Sequence, residues 1–208
     1  MSRLVRDRVS WLLYAQQGAY GYFLYAITPS VALLSDELGM SRTVAGLYGP
    51  ALAVGTIIGG SAYPALARRF RPGILLSAAL VGATVAVALL CSLKSVPGTL
   101  AATVLVTIFT TQVVNGGTTA ITMRHGSAAG AAMSEATAVS VGLGLLAPLL
   151  LDTAIRLGLG WRPGLAATTV VTAAVAVATV RMRRRLDPTT ADVPAVTGPV
   201  PAADAVKP

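Results

Sequence analysis

The sequence predicts an all-α membrane protein of six transmembrane helices arranged as two inverted three-helix repeats. Three observations carry this reading. Hydrophobic residues fill 54% of the 208 positions against 12% charged, and the mean hydropathy is +0.71, too apolar for a soluble domain of this length. The apolar residues run in six segments, each close to or above the roughly 20 residues needed to cross a hydrocarbon core of about 30 Å. Finally, Val54-Gly55 recurs as Val141-Gly142, and Arg71-Pro72-Gly73-Ile74 recurs as Arg162-Pro163-Gly164-Leu165, at offsets of 87 and 91 residues. Both copies lie between two long apolar segments, as an internal duplication of a three-helix unit requires.

The first segment, Trp11 to Leu34, follows Arg3, Arg6 and Arg8. That charged start imitates a signal peptide, but the run continues without a small-residue cleavage site, which predicts a retained span. The others are Thr43 to Ala67, Gly73 to Leu93, Gly98 to Met123, Ser127 to Leu157 and Pro163 to Val180. Turn-forming and charged residues separate them: Ser35 to Gly39, Arg68 to Pro72, Lys94 to Pro97, Arg124-His125-Gly126 and Gly158 to Arg162. Three regions follow, with residues 1–10 an N-terminal segment and 11–182 the membrane domain. Residues 187–208, rich in Pro, Ala, Thr and Asp and without an apolar period, are expected to be disordered.

An even number of spans puts both termini on one side. That side carries twelve of the sixteen basic residues, and Arg42, Lys94, Arg156 and Arg162 fall on the other. The positive-inside rule then makes both termini cytoplasmic in a plasma (inner) membrane. The net charge of +8 and pI near 10.4 do not point to nucleic acid, because the arginines sit in short clusters between apolar runs. Cys91 is the single cysteine, so no intrachain disulfide forms.

Several stretches resemble the N-terminal six-helix half of a major facilitator superfamily transporter. The loop after the second segment is similar to the family's motif A, a Gly followed after three residues by Asp-Arg, then Gly and basic residues. Gly60, Pro64-Ala65, Ala67 and Arg68-Arg69 occupy the matching positions, so the first glycine and the basic pair are kept while the Asp, the Arg and the second Gly are replaced. The fifth segment, with Gly142, Gly144 and Pro148, resembles the family's glycine-proline fifth helix, and Gly160-Trp161-Arg162 resembles the turn after it. On the fourth segment Gln112 and Asn115-Gly116-Gly117 match a family stretch in which an arginine often precedes; Phe109 stands near its position. The resemblance spans roughly residues 10 to 182 and implies one half of a fold of about twelve helices. It further implies a homodimer around a twofold axis, moving a small organic or amphipathic molecule by alternating access. The alternative is a non-transporting or heterodimeric subunit that pairs with another six-helix half.

Polar residues inside the spans are few and each has two readings. Glu135, about 13 Å along the fifth segment counted from Gly126, is a candidate for the transport pathway and for coupling to protons. The other reading bonds it at the interface to Ser134 or Arg124. Gln112 and Asn115, three apart on one face, are pathway candidates or helix-to-helix bonding groups. The first segment holds six of the eleven aromatic residues, and Gln17, Tyr20 and Tyr25 on it either line a cavity or pack. Trp11 and Tyr14 are expected in the interface belt. Gly55 and Gly59 form GxxxG, which in a compact bundle more often marks close packing than a dimer face.

Gly142 to Ala147 fits a loose dinucleotide pattern, but no strand precedes it. There is no Walker sequence, HExxH or GxSxG, and His125 lies in a loop without evident partners. The sequence therefore predicts no catalytic residues, no metal site and no cofactor. The partners expected are the bilayer, a second copy, a small-molecule substrate and protons; the chain is not expected to be an enzyme.

Overall fold

The computed structural model describes residues 6–187, and within them every regular element is helical. The elements are α1 (Arg8–Glu37), α2 (Arg42–Ala45), α3 (Tyr48–Arg69), α4 (Pro72–Ser92), α5 (Val96–His125), α6 (Ala129–Arg156) and α7 (Arg162–Leu186), with one 3-10 turn, Gly126–Ala128, joining α5 to α6. The tail expected to be disordered lies outside the described residues except for Asp187, which is ordered. Its carboxylate accepts the backbone N–H of Gly73 at 3.0 Å and so caps the start of α4 from the far end of α7.

Local chemistry sets the helix ends. Asp7 caps α1 by accepting the N–H of Ser10 at 2.9 Å. Pro72, Pro97 and Pro163 open α4, α5 and α7, where the missing N–H leaves no bond unmade. The second segment is two helices, because the chain breaks at Gly46-Leu47 between α2, capped by Ser41, and α3. Gly126 has φ of +50°, a value that only glycine adopts without strain, and it turns the chain from α5 into the 3-10 turn that leads to α6. α7 continues six residues past the expected Val180. Arginine is a good helix former, and Arg183 to Arg185 complement the negative end of the helix dipole.

Among the described residues four stretches are long and apolar enough to cross a membrane: Arg42–Arg69, Pro72–Ser92, Val96–Arg156 and Arg162–Leu186. The third is 61 residues long and contains both α5 and α6. α1 is less apolar because Ser10, Gln16, Gln17 and Ser30 lie on it, all four buried against other helices. The chain is a multi-pass membrane protein.

The long helices form two layers. α3, α5, α1 and α6 stand side by side in that order, and α4 and α7 pack together behind them, α4 against α5 and α7 against α1. Exchanging α1, α3 and α4 with α5, α6 and α7 respectively carries every close pairing of the long helices but one onto another; α5 against α6 has no counterpart of similar closeness between α1 and α3. Glycines allow the closest approaches. In the α1/α6 seam a Cβ at Gly21 would lie 2.1 Å from the Ser140 carbonyl oxygen, and one at Gly144 would lie 2.7 Å from the Tyr25 ring. In the α3/α5 seam a Cβ at Gly55 would lie 2.6 Å from the Val104 carbonyl oxygen, and one at Gly59 2.7 Å from that of Ile108. On α6 the glycine that packs into its seam is Gly144. Gly142, the match expected from the sequence, is exposed and faces open space.

Gly21→Ala is expected to destabilise the fold by about 1–3 kcal/mol, the usual range for overpacking. Gly60→Ala, with nothing within 4 Å of the added carbon, is expected to stay within about 0.5 kcal/mol of the parent. Thermal unfolding of the two detergent-purified variants checks both.

Candidate functional site

A cleft of about 230 Å³ opens between α1, α3 and α5. One turn-and-a-half of α1 supplies Tyr20, Phe23 and Leu24, whose spacing puts them on one face. α3 contributes Leu52 and Thr56, and α5 contributes Thr107, Thr110, Thr111, Val114 and Asn115. Tyr20 lies about 18 Å along α1 and Asn115 about 15 Å from the end of α5. Since these two helix ends are adjacent, the cleft sits near mid-bundle. Its apolar wall is formed by the aromatic rings, Leu52 and Val114.

The polar part of the cleft carries no charge. Thr107 and Thr110 turn their hydroxyls back to their own helix, to the carbonyls of Thr103 at 2.8 Å and Val106 at 2.9 Å. Among the described residues the Tyr20 hydroxyl, the Thr111 hydroxyl and the Asn115 side-chain amide make no hydrogen bond, which leaves all three available to a ligand.

The cleft thus unites Tyr20 and Asn115, two of the residues that the sequence singles out, and the remaining candidates lie around it. Gln17 is buried one turn from Tyr20, its amide nitrogen 3.5 Å from the Thr118 hydroxyl. Gln112 does not share the direction of Asn115, because its amide donates to the Gly59 carbonyl at 2.7 Å and joins α5 to α3. Tyr25 packs on Gly144 in the α1/α6 seam. Gly60, Arg68 and Arg69 lie outside this cleft; the two arginines are exposed in the last turn of α3, with Arg69 6.0 Å from the centre of the Phe70 ring. Pro148 is exposed within α6.

Glu135 belongs to a polar network at the end of the bundle where α1 begins. It lies about 9 Å into α6, because that helix starts at Ala129 and not at Gly126. Arg6 Nε reaches both carboxylate oxygens at 3.1 Å, Arg6 also pairs through its terminal nitrogen, and the Tyr14 hydroxyl donates at 3.1 Å. Neither Ser134 nor Arg124 is its partner: Ser134 bonds to the Gly130 carbonyl and Arg124 pairs with Asp7. Tyr14 is not an interface residue but 1% exposed, whereas Trp11, edge-on to it, stays 57% exposed. His125 is the last residue of α5 and has a partner, the Ser10 hydroxyl at 3.1 Å.

Asp7 shows how this network holds charge. Partial burial pushes its carboxyl up, but the N–H of Ser10, the Arg124 guanidinium and the Ser10 hydroxyl together bring it down to about 2 from its ordinary 3.8. At the opposite end Glu37 closes a second network that the sequence did not reveal. It accepts from the Trp161 indole at 2.8 Å and from Arg162 at 2.8 and 3.2 Å, and the Arg162 guanidinium also bonds to the carbonyls of Cys91 and Leu93. The hydrogen bond from Arg162 lowers the Glu37 carboxyl; burial opposes it, and Trp161 and the charges of Arg162 and Lys94 add to it. Arg162 stacks 5.1 Å from the centre of the Trp161 ring. One signal for this network was in the sequence, the Gly-Trp-Arg turn, but its acidic partner lies 124 residues away from Trp161.

No family model matches the sequence, and no curated protein matches it. A solved structure does match the fold. The inward open conformation of the xylose transporter XylE from E. coli, a major facilitator protein, superimposes with a TM-score of 0.71 at 15% sequence identity, over 85% of this chain and 47% of that one. The fold is similar to that of a transporter. At that identity the likeness concerns the fold alone, and this chain spans about half the length of the transporter it matches.

The lowered carboxyl of Asp7 gives a pH prediction. A group depressed on folding stabilises the protein above its unfolded value, so this contribution is present above about pH 4 and is lost as pH falls toward 2. Asp7→Asn keeps a capping side chain but not the charge. Thermal scans between pH 5 and pH 2 are expected to show a shallower acid destabilisation for the variant than for the parent.

Proposed function

We propose that the protein is a secondary-active transporter of the major facilitator type, half-sized, and that two copies form the working unit. One observation carries this reading: a membrane bundle whose mid-depth cleft presents unpaired Tyr20, Thr111 and Asn115 groups. Such groups are not tolerated against hydrocarbon and require water or another chain over the opening. A second six-helix bundle facing the first supplies that cover and a shared cavity. The coverage of 47% of a transporter with a related fold fits the same arithmetic.

In this reading all six long helices cross the plasma (inner) membrane as two inverted three-helix repeats, with both termini cytoplasmic. The near-symmetry of the helix pairings under that exchange, broken at α5 against α6, supports the repeat, and the concentration of arginines at the end with Arg6 and Arg124 supports the orientation. Alternating access is a rocking of two rigid bundles around the cleft, with Gln17 and Gln112 beside it. The ligand is an uncharged small organic compound, since the residues lining the cleft bear no fixed charge; xylose, named for the structural neighbour, is the first to try. Protons couple through Glu135, whose carboxylate exchanges Arg6 for a proton as the cytoplasmic end opens. The chain performs no covalent chemistry.

The competing reading is a subunit that pairs with a different six-helix half. Phe109, packed against Gly82 near the place of the family's frequent arginine, favours it. Cysteine crosslinking in native membranes and proteoliposome uptake by the single purified chain decide between them. The homodimer reading expects a crosslinked species of twice the chain mass and uptake that falls at least about tenfold in Tyr20→Ala and in Asn115→Ala. Glu135→Gln is expected to abolish pH-driven uptake while counterflow persists. Uptake that needs a second gene product would establish the subunit reading.

A further inference from the structure

Beside the cleft lie buried acceptors that no described residue satisfies. Gln16 Oε1, Gln17 Oε1 and Gln112 Oε1 are buried without a hydrogen bond, on side chains exposed by 0%, 7% and 4%. For two of them the surroundings fix which end of the amide is unpaired. The Thr179 hydroxyl donates its hydrogen to the Val175 carbonyl at 2.8 Å, so it can only accept from Gln16, whose nitrogen lies 2.9 Å away. Gln16 Oε1 is therefore the free end. Gln112 is fixed in the same way, because its nitrogen faces the Gly59 carbonyl, which only accepts.

Gln16 and Gln17 point their oxygens to one place. A Cβ built on Gly117 of α5 would lie 3.9 Å from Gln16 Oε1 and 3.9 Å from Gln17 Oε1. Gly117 has no side chain to cover the pair. Both glutamines lie within one helical turn of Tyr20, and Gly117 is two residues beyond Asn115, so the pair adjoins the cleft on the side toward Arg6.

Gln16 Oε1, whose direction is fixed, calls for a hydrogen-bond donor, and the Gln17 amide beside it extends the polar patch. A bare cation fits poorly, because none of the residues lining the cleft is acidic and Glu135 is engaged by Arg6 and Tyr14. An uncompensated charge in these surroundings carries a desolvation penalty that an uncharged donor avoids. We infer that Gln16, Gln17 and Gly117 form a subsite for the O–H or N–H donors of an uncharged ligand whose apolar part rests on Tyr20 and Phe23. This deepens the reading of the cleft as the substrate site and rests on it.

The test uses a matched pair of probes, 1-phenyl-1,2-ethanediol and its dimethyl ether, titrated into the full-length protein in nanodiscs and read by saturation-transfer NMR. The diol is expected to bind about tenfold more tightly than the ether, the scale of one or two buried hydrogen bonds. Gln16→Met and Gly117→Ala are each expected to remove that preference while ether binding persists. Gly117→Ala guards against a folding artefact, since its added carbon meets nothing closer than 3.8 Å. Tyr20→Ala is expected to weaken both probes. Equal binding of the two probes to the parent, or a preference that survives both variants, overturns the subsite and leaves ordered water as the donor. Failure of both probes to bind the parent overturns the cleft reading itself and this inference with it.

Discussion

Backbone proximity along two glycine seams is the constraint on which the rest of this structure depends. In a bilayer the hydrophobic effect does not drive helices together, because lipid tails are as apolar as leucine; close van der Waals contact has to do it. Gly21 and Gly144 bring α1 against α6, and Gly55 and Gly59 bring α3 against α5, in each case with a neighbouring carbonyl or ring where a side chain would otherwise stand. The two seams fix the front layer. The cleft lies between them, so its width follows from the separation of α1 and α5 and not from the size of the residues that line it.

Polar groups then lock the ends that packing alone leaves free. At one end Arg6, Asp7 and Tyr14 of the α1 region hold Arg124 and Glu135, so that α5 and α6 are tied to the start of α1. At the other end Glu37 holds Trp161 and Arg162, and Arg162 also satisfies carbonyls at the end of α4. These exposed or half-exposed ion pairs contribute little stability individually, about 0–1 kcal/mol for an isolated surface pair. Their value is geometric. α1 meets a different set of helices at each end, and the two networks fix its rotation, which is what aims Gln16, Gln17 and Tyr20.

The architecture was largely legible in the sequence, because helix length, apolar runs and turn residues are local properties. Four of the six long helices follow their expected segments to within about three residues; α3 starts five residues late because the chain breaks at Gly46-Leu47, and α7 outran its apolar segment because arginines continue a helix past the point where hydropathy falls. Packing register was less legible. Val141-Gly142 repeats the letters of Val54-Gly55, yet the helix face that meets α1 carries Gly144, a distinction that requires knowing which face is buried. The site was half legible. Tyr20 and Asn115 stood out as scarce polar groups in apolar runs. The direction of Gln112, the partner of Glu135 and the role of Glu37 depend on residues more than fifty positions away, and no spacing rule reports them.

The cap on α4 has a consequence in time. The carboxylate that accepts the Gly73 N–H belongs to Asp187, 114 residues later. At the usual pace of synthesis, about 5–20 residues per second, the first turn of α4 leaves the ribosome roughly 6 to 23 seconds before its cap exists. During that interval the start of α4 carries an open N–H. Arrival of α7 supplies both the cap and the packing partner of α4 behind the front layer, so the start of α4 is completed by a helix made much later.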